Sequence, residues 1–143
     1  MLRTLASALL TLALLVPASA SEEEVYISIE NIHGDADGFF DVFSGVQDAA
    51  MFNPIDIAGY GLYPMTINAN GEVYDILEEQ DLIDNFDTLV YPETIDAILG
   101  QDVDDLIVTS EGVGLANGAL WITNICLDDA CSETQWGVFS INN

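Results

Sequence analysis

The sequence has almost no positive charge, because Arg3 is its only Lys or Arg against 25 Asp and Glu residues. Every carboxylate follows Arg3 in the chain, so the rest of the sequence contains anions without a fixed cation to pair with them. Nucleic-acid binding and attraction to an anionic membrane surface both need cations that neutralise phosphates. The composition therefore excludes both functions for residues 21–143.

Histidine is nearly absent as well, and His33 is the only one. Imidazole is the most common general acid or base near neutral pH, and His33 is expected in a loop before the first helix. A serine hydrolase of the nucleophile-elbow type would carry a G-x-S-x-G motif, which this sequence lacks. The sequence therefore assigns no catalytic residue and no cofactor, although a carboxylate pair stays open as the basis of an enzyme.

Long hydrophobic runs are missing after residue 16. The run over residues 5–16 is about a dozen residues long, short of the roughly 20 that a membrane-spanning helix needs. Arg3 precedes it and Ala18-Ser19-Ala20 follows, which is the order of a signal peptide and its cleavage site. We predict a cleaved leader over residues 1–20 and a single domain over 21–143, without a membrane anchor, in the periplasm or outside the cell.

Cysteine is scarce, with only Cys126 and Cys131, which are separated by four residues. In an exported protein such a pair favours a disulfide, and the spacing is not that of a C-x-x-C redox motif. We expect Asp128 and Asp129 to form a turn, with the two cysteines opposite each other across the strands that flank it. A structural staple worth about 2 kcal/mol is predicted, with a redox or metal role as the alternative.

The apolar residues that are present follow helix and strand periodicities in turn. This order predicts an α+β domain, with helices packed on one face of a curved antiparallel sheet. The predicted elements are a short strand or extended lead-in at 25–29, a helix from Asp35 or Asp37, a short helix from Pro54, a hairpin around Asn70-Gly71, helices at 78–90 and 91–100, and strands at 106–115, 119–126 and 135–141.

Part of this pattern resembles a family of small, uncharacterised bacterial periplasmic proteins with the nuclear-transport-factor-two-like (cystatin-like) fold. The residues that carry the resemblance are Tyr63-Pro64, Asn68, Phe86, Ile95 to Leu99, Asp105-Leu106, Gly112 to Gly114, Asn117-Gly118, Trp121, Cys126, Asp128, Cys131 and Ile141-Asn142. The family usually has basic residues between and after the cysteines, which this chain lacks. The resemblance implies a cone-like sheet with a concave pocket, and it implies no particular activity.

Four aromatic residues are the candidate ligand pocket: Tyr63, Trp121, Trp136 and Phe139. All four fall on predicted strands, where aromatic side chains either line a pocket or fill the core. Because the chain after Arg3 has no cation, the ligand of such a pocket is expected to be neutral, apolar or positively charged.

Aspartates are the candidate metal ligands. Asp35, Asp37 and Asp41 match positions 3, 5 and 9 of a calcium loop, but His33 and Ser44 replace the carboxylates of its two ends. Capping of a helix by Asp35 or Asp37 is therefore the preferred interpretation, and no metal is assigned. Further aspartates that could collect cations loosely are Asp102, Asp104, Asp105, Asp128 and Asp129.

Three hypotheses follow from these observations. The first is a non-catalytic ligand-binding or interaction domain, for which a homodimer through the sheet is one arrangement. The second is a pocket enzyme of the cyclase or isomerase type, and the third is an accessory protein that binds divalent cations or polycations. The acidity itself has a further explanation, which is adaptation to a saline medium.

Overall fold

The computed structural model describes residues 20–143, so the predicted signal peptide lies outside the described residues apart from Ala20. The elements are α1 (Glu22–His33), α2 (Ala36–Phe52), a long 3₁₀ helix (Pro54–Tyr60), β1 (Gly61–Ala69), β2 (Glu72–Ile76), α3 (Glu79–Leu89), α4 (Pro92–Leu99), a second 3₁₀ helix (Val103–Asp105), β3 (Ile107–Val108), β4 (Val113–Leu115), a third 3₁₀ helix (Ala116–Gly118), β5 (Leu120–Cys126) and β6 (Thr134–Asn142).

The first element is helical, so the strand predicted at residues 25–29 is wrong. Ser21 and Glu24 form a capping box that begins α1: the Ser21 hydroxyl accepts a hydrogen bond from the Glu24 amide at 3.2 Å, and the Glu24 carboxylate accepts one from the Ser21 amide at 2.9 Å. Three glutamates in the first turn also stabilise α1, because their negative charges lie near the positive end of the helix dipole. These effects outweigh the strand propensity of the β-branched residues that follow.

The second helix begins as predicted, at an Asp35 cap. The Asp35 carboxylate accepts a hydrogen bond from the Gly38 amide at 3.0 Å, and the buried face of α2 then includes Phe39, Phe43 and Val46.

The predicted short helix from Pro54 is confirmed as the long 3₁₀ helix. The helices predicted at 78–90 and 91–100 are confirmed as α3 and α4.

The sheet has the order β2-β1-β6-β5-β4-β3. The α+β class, with helices on one face of a curved sheet, is confirmed, and the sheet does not close on itself. It is mixed rather than purely antiparallel, because β1 and β6 run parallel, with Ile67 opposite Ile141. The predicted hairpin is formed by β1 and β2, and Asn70 and Gly71 both have the positive φ that a tight two-residue turn requires.

The strand predicted at 106–115 is interrupted, because the chain turns back within it. Thr109 donates its amide and its hydroxyl to the Gly112 carbonyl, at 2.9 and 3.1 Å, and this turn separates β3 from β4. The ladder between β5 and β6 also shifts register: Ile122 is opposite Val138 and Trp121 is opposite Ser140, which leaves Phe139 as a bulge residue.

The predicted disulfide between Cys126 and Cys131 is present, with a Cα–Cα distance of 4.7 Å. It does not cross the ladder as expected, because Cys126 is paired with Thr134, and Cys131 lies in the connecting loop. The bridge therefore closes the loop at one end of the sheet. Within this loop Asp128 accepts a hydrogen bond from the Ser132 amide at 2.7 Å, and the hydrogen bonds from Ser132 lower the pKa of the Asp128 carboxyl.

The side chain of Asn143 connects the hairpin to the junction between α3 and α4. Its Oδ1 atom accepts hydrogen bonds from the Tyr91 amide at 2.8 Å and the Thr94 hydroxyl at 2.9 Å. Its Nδ2 atom donates to the carbonyls of Asn68 and Leu89, at 3.0 and 2.7 Å. Both donors and both acceptor sites of the amide are used, so this one side chain fixes α3 and α4 against β1.

Candidate functional site

Trp136, one of the four predicted pocket residues, lies in the core. Its side chain is 6% exposed, and the indole N–H donates to the Asp35 carbonyl at 2.9 Å. The ring makes edge contacts with Phe39 and His33, with centroid distances of 5.4 and 5.2 Å. Trp136 therefore joins the end of α1 and the start of α2 to β6.

The other three predicted pocket residues are half-buried. Tyr63 donates its hydroxyl to the Ala58 carbonyl at 2.7 Å, and Trp121 donates its indole N–H to the Gly118 carbonyl at 2.9 Å. Phe139 lies beside Gly112. Trp136 is buried and the other three are half-buried, and contact of any of the four with a ligand stays a prediction.

His33 is the last residue of α1, not a loop residue as predicted. Its Nε2 atom lies 2.9 Å from the Thr109 carbonyl, which can only accept, so this nitrogen is the donor. Asn124 donates its side-chain amide to the His33 carbonyl at 3.4 Å, while its Oδ1 atom is buried without a partner among the described residues. These contacts connect α1 to the edge of the sheet.

The three aspartates considered for a calcium loop do not converge among residues 20–143. Asp35 caps α2, and Asp37 accepts a hydrogen bond from the Tyr26 hydroxyl at 3.0 Å. The aspartates that do converge are Asp102, Asp104 and Asp105, whose carboxylate oxygens lie within 4.8 Å of one another around the second 3₁₀ helix. This triplet carries no assignment, because exposed acidic groups are common at turns and helix ends.

Two concavities lie on either side of the long 3₁₀ helix, which is packed between α2 and α3. Their volumes are about 250 Å³ on the α2 side and about 440 Å³ on the α3 side, both are open to solvent, and both are lined by Asp56 and Tyr60. We call the two together the acidic groove. Its lining residues are Gly45, Asp48, Ala49, Phe52, Ile55, Asp56, Gly59, Tyr60, Glu79 and Ile83.

Asp56 and Tyr60 form a ridge between the two concavities, and contacts within the chain hold both residues in place. A Cβ atom at Gly45 would lie 2.3 Å from the Tyr60 hydroxyl oxygen, so the missing side chain makes room for the Tyr60 phenol against α2. Asn53, which ends α2, donates its side-chain amide to the Asp56 carboxylate at 2.8 Å. The aromatic ring and the carboxylate of the ridge are therefore both positioned before any partner arrives.

The rim of the acidic groove has an apolar end. Phe52 is 80% exposed and Met51, beside it on α2, is 63% exposed. A phenylalanine this exposed is unusual, because burial of such a side chain contributes about 1.5–3 kcal/mol. The neighbouring groove residues Asp48 and Asp56 are exposed carboxylates, so an apolar surface and negative charge lie side by side.

The Tyr63 phenol, which does not line the acidic groove, has a raised pKa. Burial, and secondarily the negative charge of Glu79, raise the pKa of the Tyr63 phenol to about 12. The Glu79 carboxylate lies over Gly59, with Oε1 3.8 Å from where a Cβ would stand. The Tyr63 hydroxyl in turn holds the Ala58 carbonyl of the 3₁₀ helix, so Tyr63 supports the groove from behind.

A raised phenol pKa predicts a loss of stability in alkali. Because the folded pKa of Tyr63, about 12, exceeds the ordinary value of 10.0, folding favours the protonated phenol. This stabilisation is complete below pH 10 and is lost as the pH rises to 12. Allowing for solvent screening of the half-exposed ring, we expect the free energy of unfolding to fall by about 1 kcal/mol more in the wild type than in Tyr63→Phe.

The measurement is urea unfolding at several pH values between 9 and 12, and the slope of the unfolding free energy against pH is compared between variants. Absolute stabilities are not compared, because Tyr63→Phe also removes the hydrogen bond to Ala58. Tyr74→Phe, which also removes one half-buried phenol, is the control variant. Equal slopes for the wild type and Tyr63→Phe would contradict the prediction.

The chemistry that the acidic groove offers is recognition of positive charge next to apolar groups. It combines three exposed carboxylates with aromatic and aliphatic side chains, and no Lys or Arg occurs in residues 20–143. Sequence reasoning missed these residues, because the groove depends on how α2, the 3₁₀ helix and α3 pack. The one available signal was Phe52 directly before the predicted Asn53-Pro54 helix start, a bulky apolar residue at a boundary.

Comparisons with protein-family models, with curated proteins and with solved structures find no match to this chain. The resemblance to the nuclear-transport-factor-two-like family therefore stays a prediction. The α+β class itself does not depend on it, since the sheet and helices are described directly.

Proposed function

We propose that this protein is an exported, non-catalytic binding domain whose partners carry positive charge. The observation that carries the proposal is the unpaired anionic surface: residues 20–143 contain 25 carboxylates, no Lys and no Arg. All but three of these carboxylates are exposed, and none is fully buried. A surface of one sign without internal counter-charges attracts cationic partners and repels anionic ones.

The proposed location is supported by the disulfide. The disulfide between Cys126 and Cys131 is consistent with an extracellular location. None of the helices in residues 20–143 combines the length and apolar character needed to cross a lipid bilayer. Cleavage of a leader over residues 1–20, and delivery to the periplasm or the medium, are part of the proposal.

The described geometry favours binding over catalysis. An isomerase or cyclase site is typically a well-formed pocket with a buried, perturbed acid or base. Among residues 20–143 no carboxylate is fully buried, and the single imidazole holds a backbone carbonyl of the sheet edge. The acidic groove is open and has exposed carboxylates, which suits recognition of a charged partner.

The proposal is tested by calorimetric titration with tetralysine and, as the matched control of opposite charge, tetraglutamate, both at 0.15 M NaCl. We expect tetralysine to bind saturably with a stoichiometry of one and tetraglutamate not to bind. Binding that never saturates, or no binding of tetralysine, would leave saline adaptation as the explanation of the acidity and would reject the proposed function.

A further inference from the structure

We infer that the acidic groove is the docking site for a basic peptide segment of a partner protein, one in which lysine or arginine alternates with bulky apolar residues. This inference rests on the proposed function and adds the place of binding and the kind of partner. It is carried by the juxtaposition of an exposed aromatic residue, three carboxylates and a two-sided groove.

The apolar part of the surface calls for a partner that is more than a cation. Phe52 lines the α2 side of the groove and is 80% exposed, and Met51, which precedes it in α2, is 63% exposed. Exposed apolar surface rimmed by polar residues is typical of sites where another protein binds. A partner with bulky apolar side chains covers it, whereas a free polyamine does not.

The charged part of the surface has no neutralising group of its own. Asp48, Asp56 and Glu79 line the groove as exposed carboxylates, and the described part of the chain contributes neither lysine nor arginine to pair with them. Because Asp56 is already held by Asn53 at 2.8 Å, a guanidinium or ammonium group meets a carboxylate whose position is fixed. Preorganisation of this kind lowers the entropic cost of binding.

The shape of the groove suits an extended chain. Asp56 and Tyr60 form a ridge with one concavity on each side. In an extended peptide successive side chains point in opposite directions, so neighbouring residues can enter the two concavities. The Tyr60 ring, which rests on α2 at Gly45, lines both concavities, so a cation–π contact with a basic side chain is part of the inference.

The experiment is fluorescence anisotropy at 0.15 M NaCl with two labelled peptides of equal charge, Lys-Phe-Lys-Phe-Lys and Lys-Gly-Lys-Gly-Lys. The groove variant carries Asp48→Asn, Asp56→Asn and Glu79→Gln. Its control carries Glu23→Gln, Asp105→Asn and Asp129→Asn, which change the net charge equally at exposed positions that do not line the groove. We expect the groove variant to weaken binding of the Phe-containing peptide by at least tenfold, and the control by less than threefold.

A second pair of variants tests the apolar part. Phe52→Ala should weaken the Phe-containing peptide by about tenfold, a change of about 1.4 kcal/mol, and leave the Gly-containing peptide unchanged. Ile32→Ala, which truncates an apolar side chain 49% exposed on α1, should leave both unchanged. Circular dichroism melts of each variant verify folding, and all of the substituted side chains are exposed.

The outcomes separate the two proposals. If neither peptide binds the wild type, the proposed function and the docking site both fail. If both peptides bind saturably but the two charge variants weaken them equally, the peptides bind elsewhere on the acidic surface, so the docking site is wrong and the proposed function stands. The peptide assignment is overturned if two results occur together: spermine displaces the Phe-containing peptide at equal charge concentration, and the Gly-containing peptide binds as tightly as the Phe-containing one. The ligand is then a free polycation.

Discussion

Raising NaCl from 0.1 M to 1 M will increase the thermal unfolding midpoint of this protein by about 10 °C. The reason is self-repulsion among carboxylates that have no Lys or Arg to pair with in residues 20–143. The 25 charges make about 300 pairs, and one pair 20 Å apart in water repels by about 0.2 kcal/mol before screening. As the Debye length shrinks from about 10 Å to about 3 Å, we expect about 3 kcal/mol of stability to be recovered.

The control for this salt effect is CaCl2 at matched ionic strength, followed by the same calorimetric or dichroism melt. Equal stabilisation by the two salts is expected from screening alone. A larger effect of CaCl2 that disappears in Asp104→Asn would instead indicate that the triplet of Asp102, Asp104 and Asp105 binds the ion. A midpoint that does not change with NaCl would contradict the self-repulsion on which the expectation depends.

Trp136→Ala will reduce the free energy of unfolding by about 3–5 kcal/mol, the range measured for large aromatic truncations in cores. The side chain is 6% exposed and packs edge-on against Phe39 and His33, so its removal leaves a cavity where α1, α2 and β6 meet. The indole N–H also holds the Asp35 carbonyl at 2.9 Å, next to the cap of α2. Urea unfolding in molar NaCl gives the measurement, because the salt keeps the variant folded at zero denaturant.

Two further variants divide this effect into its parts. Trp136→Phe keeps most of the ring packing and loses the hydrogen bond to Asp35, and a loss of about 1 kcal/mol is expected for the bond itself. Trp121→Ala removes the half-buried tryptophan on β5 and should cost clearly less than Trp136→Ala. Similar losses for the two tryptophans would show that Trp136 is not the core residue that its burial indicates.

The middle of the chain was predictable because its local signals agree. Asn70-Gly71 between two apolar runs specified the hairpin, and Pro92 at the start of α4 specified where α3 had to end. The first helix was missed although its sequence contains the Ser21-x-x-Glu24 capping box. The apolar alternation of Val25, Ile27 and Ile29 favours a strand, but the cap prevails in the structure.

The parts that could not be predicted depend on contacts between distant segments. Nothing local indicates that β1 runs parallel to β6, or that Cys126 is opposite Thr134 rather than Cys131. The candidate pocket rests on the residue type of strand aromatics alone, and its contact with a ligand stays a prediction. The acidic groove could not be found in this way, because α2, the long 3₁₀ helix and α3 line it together.

The central place of β6 has a consequence for how the molecule assembles. This strand lies between β1 and β5, yet it follows every other strand in the sequence. Only β6 (Thr134–Asn142) connects the two parts of the sheet. Until it forms, the β1–β2 hairpin has no hydrogen-bonded contact with the meander of β3 to β5. Vectorial folding behind a ribosome or a translocation pore cannot complete the sheet, and the native topology forms only after the final strand has been released.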